Sequence, residues 1–224
     1  MTMLTGPRMA PQSGKAKQLV VLLHGYGADG NDLIALGGEW QSMLPDTAFA
    51  SPNAPEPCAG APMGRQWFPL TMRDMEERWT GVQQAAPALH QYLDAELAHW
   101  GLPPDRLALV GFSQGTMMSL YIGLRRAAAP LAVVGYSGMH VMPTMEVDEA
   151  GFIGSIKCMP PVLLVHGDRD ELIPPQEMFM AAQTLAALEV PVEWHLSQGL
   201  GHGIDGDGLR LGGAFLARAF QPKG

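Results

Sequence analysis

Only two cysteines occur in the 224 residues, Cys58 and Cys158, far apart and without CxxC or metal-ligand spacing. Neither a disulfide framework nor a thiolate metal centre is expected. HExxH and clustered carboxylate sets are missing too, so no metal and no cofactor is expected. Positive charge is scarce, with 14 Lys and Arg against 22 Asp and Glu and a formal charge of −8. Phosphate binding needs a basic stripe, and the densest basic spot, Arg125-Arg126, follows a helical pattern whose C-terminus attracts cations in any case. Nucleic acid is therefore excluded as a partner. No apolar stretch approaches transmembrane length, which excludes stable membrane insertion. Residues 1–17 mix Gly, Pro, Gln and Lys without a signal-peptide core, so a cytoplasmic location is expected.

What is present is the composition of an ordinary globular protein, 47% hydrophobic and 16% charged. The length suits one α/β domain over 1–224, with residues 1–16 reading as a loose N-terminal segment. Short apolar runs at 19–23, 107–110, 131–134 and 162–165 read as buried parallel strands. The more alternating stretch 190–196 is placed nearer an edge, because Pro191 cannot donate to a ladder. A weaker strand is read at 48–50. Between the runs lie helical patterns at 82–100, 114–126, 175–188 and 212–220; the first carries Leu89, Leu93 and Leu97 and stops at Gly101. Alternation of strands and helices predicts a mostly parallel sheet covered on both faces.

Chemistry in such sheets gathers at the carboxyl ends of the strands. After the first run comes the glycine-rich turn His24-Gly25-Tyr26-Gly27-Ala28-Asp29-Gly30. After the second comes Gly111-Phe112-Ser113-Gln114-Gly115, a serine between two glycines where a strand must reverse into a helix, the pattern of a nucleophile elbow. A side chain at either glycine would clash in so sharp a turn. The run at 162–165 leads to His166-Gly167-Asp168-Arg169-Asp170, and the last leads to Gly199-Leu200-Gly201-His202-Gly203. A serine hydroxyl is a poor nucleophile until an imidazole takes its proton, and a carboxylate behind the imidazole fixes its tautomer. Ser113, an aspartate at 168 or 170, and His202 supply those types in the chain order of α/β-hydrolases. The backbone N–H groups of Tyr26 and Gln114 are the expected oxyanion donors. His24 and His166, each before a glycine at a strand end, are expected to hydrogen-bond to loop backbone.

Together with Pro52-Asn53-Ala54-Pro55, Trp67-Phe68 and Glu171-Leu172-Ile173-Pro174, these segments resemble the compact carboxylesterase, lysophospholipase and acyl-protein thioesterase group of α/β-hydrolases, nearly end to end. The resemblance implies an α/β-hydrolase fold without a large lid domain and a catalytic acid at the last residue of HGxxD. That selects Asp170 over Asp168. It also implies a possible homodimer. The chain departs from the pattern at Thr116, where a further glycine is common, and at Tyr26, where a smaller apolar residue is common. A slightly shifted helix and an altered pocket wall are expected.

Between Cys58 and Trp79 lies an apolar but irregular segment from which Trp67, Phe68 and Met72 are expected to line an acyl pocket, with Leu172 also contacting substrate. No insertion of lid size separates the strands, which favours small ester or acyl substrates over emulsified triglyceride. The expected activity is hydrolysis of short to medium acyl esters through an acyl-serine intermediate. The same machinery would serve an acyl-protein thioesterase or a lysophospholipase. An inactive hydrolase fold acting as a binding module would be marked by loss of a triad member, and all three positions are filled.

Overall fold

A computed structural model describes residues 3–71, 74–143 and 149–221. The strands are β1 (Arg8–Met9), β2 (Gln18–Leu23), β3 (Thr47–Ala50), β4 (Glu56–Cys58), β5 (Ala61–Gln66), β6 (Leu107–Phe112), β7 (Ala132–Tyr136), β8 (Val162–Gly167) and β9 (Val192–Ser197). The helices are α1 (Gly30–Trp40), α2 (Met75–Trp100), α3 (Gln114–Gly123), α4 (Glu149–Ser155), α5 (Gln176–Ala187) and α6 (Gly206–Ala219). Seven strands form one sheet in the order β1-β3-β2-β6-β7-β8-β9, parallel throughout except for β1, while β4 and β5 pair as a separate antiparallel hairpin. This is the α/β-hydrolase fold, and among the described residues no large lid covers it.

Alternation along the central strands divides the core in two. Leu19, Val21, Leu109, Val133 and Leu164 face α2, α3 and α5, where they meet Leu89, Met117 and Leu185. Val20, Leu22, Val110, Val134 and Val165 face α1 and α6, where they meet Leu33, Trp40 and Phe215. Both faces are covered, which is why these strands read as unbroken apolar runs in the sequence.

The predicted strands form with bounds shifted by one or two residues, and β9 lies at the sheet edge. Helix starts differ more. Helix α2 begins seven residues before the predicted 82, because the Asp74 carboxylate accepts the Glu76 and Glu77 N–H groups and caps it there. Helix α6 begins at Gly206 behind the Asp205 cap instead of at 212. A Cβ at Gly212 would lie 1.9 Å from the Tyr136 hydroxyl, so the glycines that obscure this helix in the sequence let it press onto the sheet. Arg8 and Met9 add an antiparallel strand to β3, and the Arg8 guanidinium grips the buried Glu96 carboxylate of α2 at 2.6–3.0 Å.

Candidate active site

The β6–α3 junction places Ser113 at φ 55° and ψ −116°, a left-handed conformation rare for a side-chain-bearing residue. The flanking glycines make the turn possible. A Cβ on Gly111 would stand 2.3 Å from the Gly115 carbonyl oxygen, and one on Gly115 would stand 1.8 Å from that of Leu23. The Ser113 N–H is held by the Tyr136 carbonyl at 2.9 Å. Two further loops close on the serine. A Cβ on Gly25 would lie 3.3 Å from the Ser113 Cβ, and one on Gly138 would lie 2.9 Å from the Ser113 carbonyl oxygen.

Thr116, placed where a further glycine is common, is accommodated without loss of the turn. Its hydroxyl lies 2.9 Å from both the Gly111 and Tyr136 carbonyl oxygens, tying β6 to β7. Its methyl fills space that a Cβ on Gly135 or Gly138 would claim.

Beyond β8, Asp170 is buried and uses both carboxylate oxygens. Oδ1 accepts the Leu172 and Ile173 N–H groups at 3.0 and 2.9 Å, which folds the 170–173 turn. Oδ2 lies 2.8 Å from His202 Nδ1. A carboxylate only accepts, so Nδ1 carries the proton and Nε2 keeps a free lone pair. The His202 ring also rests on Phe112, with centroids 4.9 Å apart, beside Ser113. Asp170 therefore caps a turn and pairs with histidine at once. Asp168 faces elsewhere and accepts the Gly199 N–H at 2.6 Å. His166 Nε2 donates to the Ile173 carbonyl at 2.8 Å and lies 3.2 Å from Asp170 Oδ2, bracing the same turn.

The 24–30 loop has its own scaffold. The Ala54 N–H donates to His24 Nε2 at 3.0 Å, so the His24 Nδ1–H donates to the Gly25 carbonyl at 2.8 Å. Burial lowers the pKa of this imidazole and keeps it neutral. Both histidines thus bond to loop backbone, as the sequence predicts. The Asn53 side chain accepts the Gly30 N–H, and the hairpin is stitched on through Gly27 N–H to Arg65 O and Arg65 N–H to Ala28 O. Tyr26 is 38% exposed, and its hydroxyl contacts the Cys58 thiol, which raises the tyrosine pKa.

Trp67 and Phe68, expected to line an acyl pocket, are each 1% exposed and pack in the core cluster beside the site. Their apolar bulk was the legible part, and their anchorage was not. The Gln114 side chain accepts the Trp67 N–H at 2.9 Å and donates to the Phe68 carbonyl at 2.8 Å, while the Trp67 indole N–H donates to the His24 carbonyl at 3.0 Å. Gln114 thus locks the hairpin segment to the elbow through its side chain, a role the sequence gives no sign of. Leu172 is 66% exposed at the Asp170 turn. Met72 lies outside the described residues. Among the described residues no three His, Cys, Asp or Glu side chains are grouped to hold a metal ion.

A family model described as phospholipase/carboxylesterase matches residues 4–219. Acyl-protein thioesterase 1 of Gibberella zeae is 25% identical over 97% of each chain, and that of Schizosaccharomyces pombe is 32% identical over 69% of each. The crystal structure of esterase PE8 superposes with a TM-score of 0.91 at 44% identity, covering 98% of this chain and all of that one.

Proposed function

The chain belongs to the phospholipase/carboxylesterase family, and on that premise we propose that it is a serine carboxylesterase acting on short to medium acyl esters, in the cytoplasm. The observation that carries the reading is the 2.8 Å pair of His202 and buried Asp170, with the imidazole resting on the residue before a strained serine. In this reading Ser113 Oγ attacks the ester carbonyl while His202 Nε2 takes its proton, and Asp170 stabilises the imidazolium. The oxyanion accepts the N–H groups of Tyr26 and Gln114, the latter being the first residue of α3, where amides lack an intrahelical acceptor. His202 then returns the proton to the departing alkoxide. Water, deprotonated by the same nitrogen, cleaves the acyl-serine and frees the carboxylic acid. With Trp67 and Phe68 withdrawn into the core, exposed Leu172 and Tyr26 are the apolar surface offered to the acyl group.

A thioesterase or lysophospholipase would use the same groups. The ester reading is preferred because esterase PE8 is 44% identical to this chain, against 25% and 32% for the acyl-protein thioesterases of Gibberella zeae and Schizosaccharomyces pombe. The test is a p-nitrophenyl ester chain-length series beside an acyl-CoA and a lysophospholipid, on wild type and Ser113→Ala. Esters are expected to turn over fastest, and Ser113→Ala to lower kcat by about a millionfold, as for another serine hydrolase. Full activity in Ser113→Ala, or no turnover of any of the three classes, refutes the proposal.

A further inference from the structure

Just past the C-terminal end of α3, the side chain of Arg125 is buried and, among the described residues, has no carboxylate to balance it. Its Nε donates to Ser155 Oγ at 3.1 Å and its Nη1 to the Tyr121 carbonyl at 3.2 Å. Among the described residues it forms no ion pair, and Nη2 is buried without a hydrogen-bond partner. A guanidinium has five N–H donors, so the Nη1–Nη2 edge keeps unused hydrogens. Three rings hold the group in place, with Cζ 4.2 Å from the centroid of Tyr121, 5.4 Å from Phe152 and 5.6 Å from Trp79.

These residues line a cavity of about 530 Å³ that also takes in His90 and Lys157. A neighbouring cavity shares His90, Arg125 and Lys157 and adds Arg126 and Asp94, which pair with each other at 2.7 Å. Among the described residues Arg125 and Lys157 are thus left as unbalanced charges, on a chain whose net charge is −8. An unpaired buried charge is costly, and a matching anion removes that cost.

We propose that this cavity is a binding site for an organic carboxylate with an apolar body, separate from the serine site. The carboxylate takes the Nη1–Nη2 edge of Arg125 end-on, the geometry a guanidinium fork offers it. Lys157 adds a second charge at the rim, and the body lies against Trp79, Tyr121 and Phe152. An inorganic oxyanion satisfies the charges and leaves the aromatic walls unused, so it binds more weakly. The site is independent of the proposed serine chemistry.

Isothermal titration of the full chain with hexanoate and, separately, inorganic phosphate, at ionic strength fixed with chloride, tests this. Wild type is expected to show saturable hexanoate binding at least about tenfold tighter than phosphate. Lys157→Glu, a change at an exposed position, is expected to weaken hexanoate by about tenfold or more, and Arg125→Met to abolish this binding. Unchanged far-UV circular dichroism and a cooperative urea transition certify that each variant is folded, and should Arg125→Met fail that control, Lys157→Glu decides. Hexanoate affinity unchanged in Lys157→Glu, no saturable binding to wild type, or phosphate binding as tightly as hexanoate each overturns the proposal.

Discussion

At Asp170 the carboxylate is committed on both oxygens, two turn N–H groups on one and the His202 imidazole on the other. Replacing it by asparagine keeps an acceptor for the turn but sets an amide against Nδ1, so the imidazole takes the wrong tautomer. Asp170→Asn is expected to lower kcat on a p-nitrophenyl ester by about 10⁴-fold, as the equivalent change does in another triad. Asp168→Asn, which only loosens the Gly199 contact, is expected to cost far less. A larger loss from Asp168→Asn in steady-state kinetics would assign the acid to the wrong aspartate. His140 behaves differently. Neither ring nitrogen has a partner among the described residues, and burial, aided by the Arg125 charge, pushes its pKa down to about 4. The unfolded chain binds this proton below about pH 6.5 and the folded chain does not until about pH 4. Stability is therefore full above pH 6.5 and is lost as pH falls through that window, by on the order of 3 kcal/mol from this group. Urea midpoints between pH 7.5 and 4 should show the loss in wild type and a shallower one in His140→Leu. Parallel curves would remove His140 as the cause.

At the scale of elements, the outermost strand is fastened by a charge pair. Glu96 is buried on α2, and Arg8 reaches it from β1 across 88 residues of sequence. Removing the arginine strands a carboxylate away from water. Arg8→Met is expected to cost about 2 kcal/mol, less than for a fully buried pair because half of the guanidinium is already in solvent. Arg8→Met with Glu96→Leu is expected to recover most of that loss, and a double-mutant cycle in urea checks it; additive losses would mean the pair is not coupled. The same strand shows what was legible. The four central strands β2, β6, β7 and β8 announce themselves because burial on two faces demands continuous apolar residues, and the elbow because only glycine fits beside Ser113. A two-residue strand held by one distant ion pair has no period to read. The β4–β5 hairpin, carrying prolines and a glycine, has no alternation, and α1 and α6 are rich in glycine for close packing. In the candidate site, the histidines and the pair Asp168 and Asp170 could be located at strand ends from the sequence, while the choice between the two aspartates came from the family resemblance. The Gln114 clamp was not, because its partners are backbone groups 46 and 47 residues away.

For the molecule as a whole, the architecture sets access. The strand ends bearing the proposed triad, at Ser113, Asp170 and the loop with His202, lie on the carboxyl side of one sheet, and no large lid covers that side among the described residues. A lidded lipase needs a lipid surface to move its cover, so its rate jumps once substrate forms droplets. Here the residues proposed to meet an acyl chain, Leu172 and Tyr26, are already partly in solvent, so under the proposed function a dissolved ester meets them without a conformational step. The rate of p-nitrophenyl butyrate hydrolysis is therefore expected to follow a single hyperbola with concentration and to show no upward break as the solubility limit is crossed. Addition of detergent micelles below inhibitory levels should not raise kcat. A sharp rise at the solubility limit would require a segment that shields the site in water and would overturn this expectation.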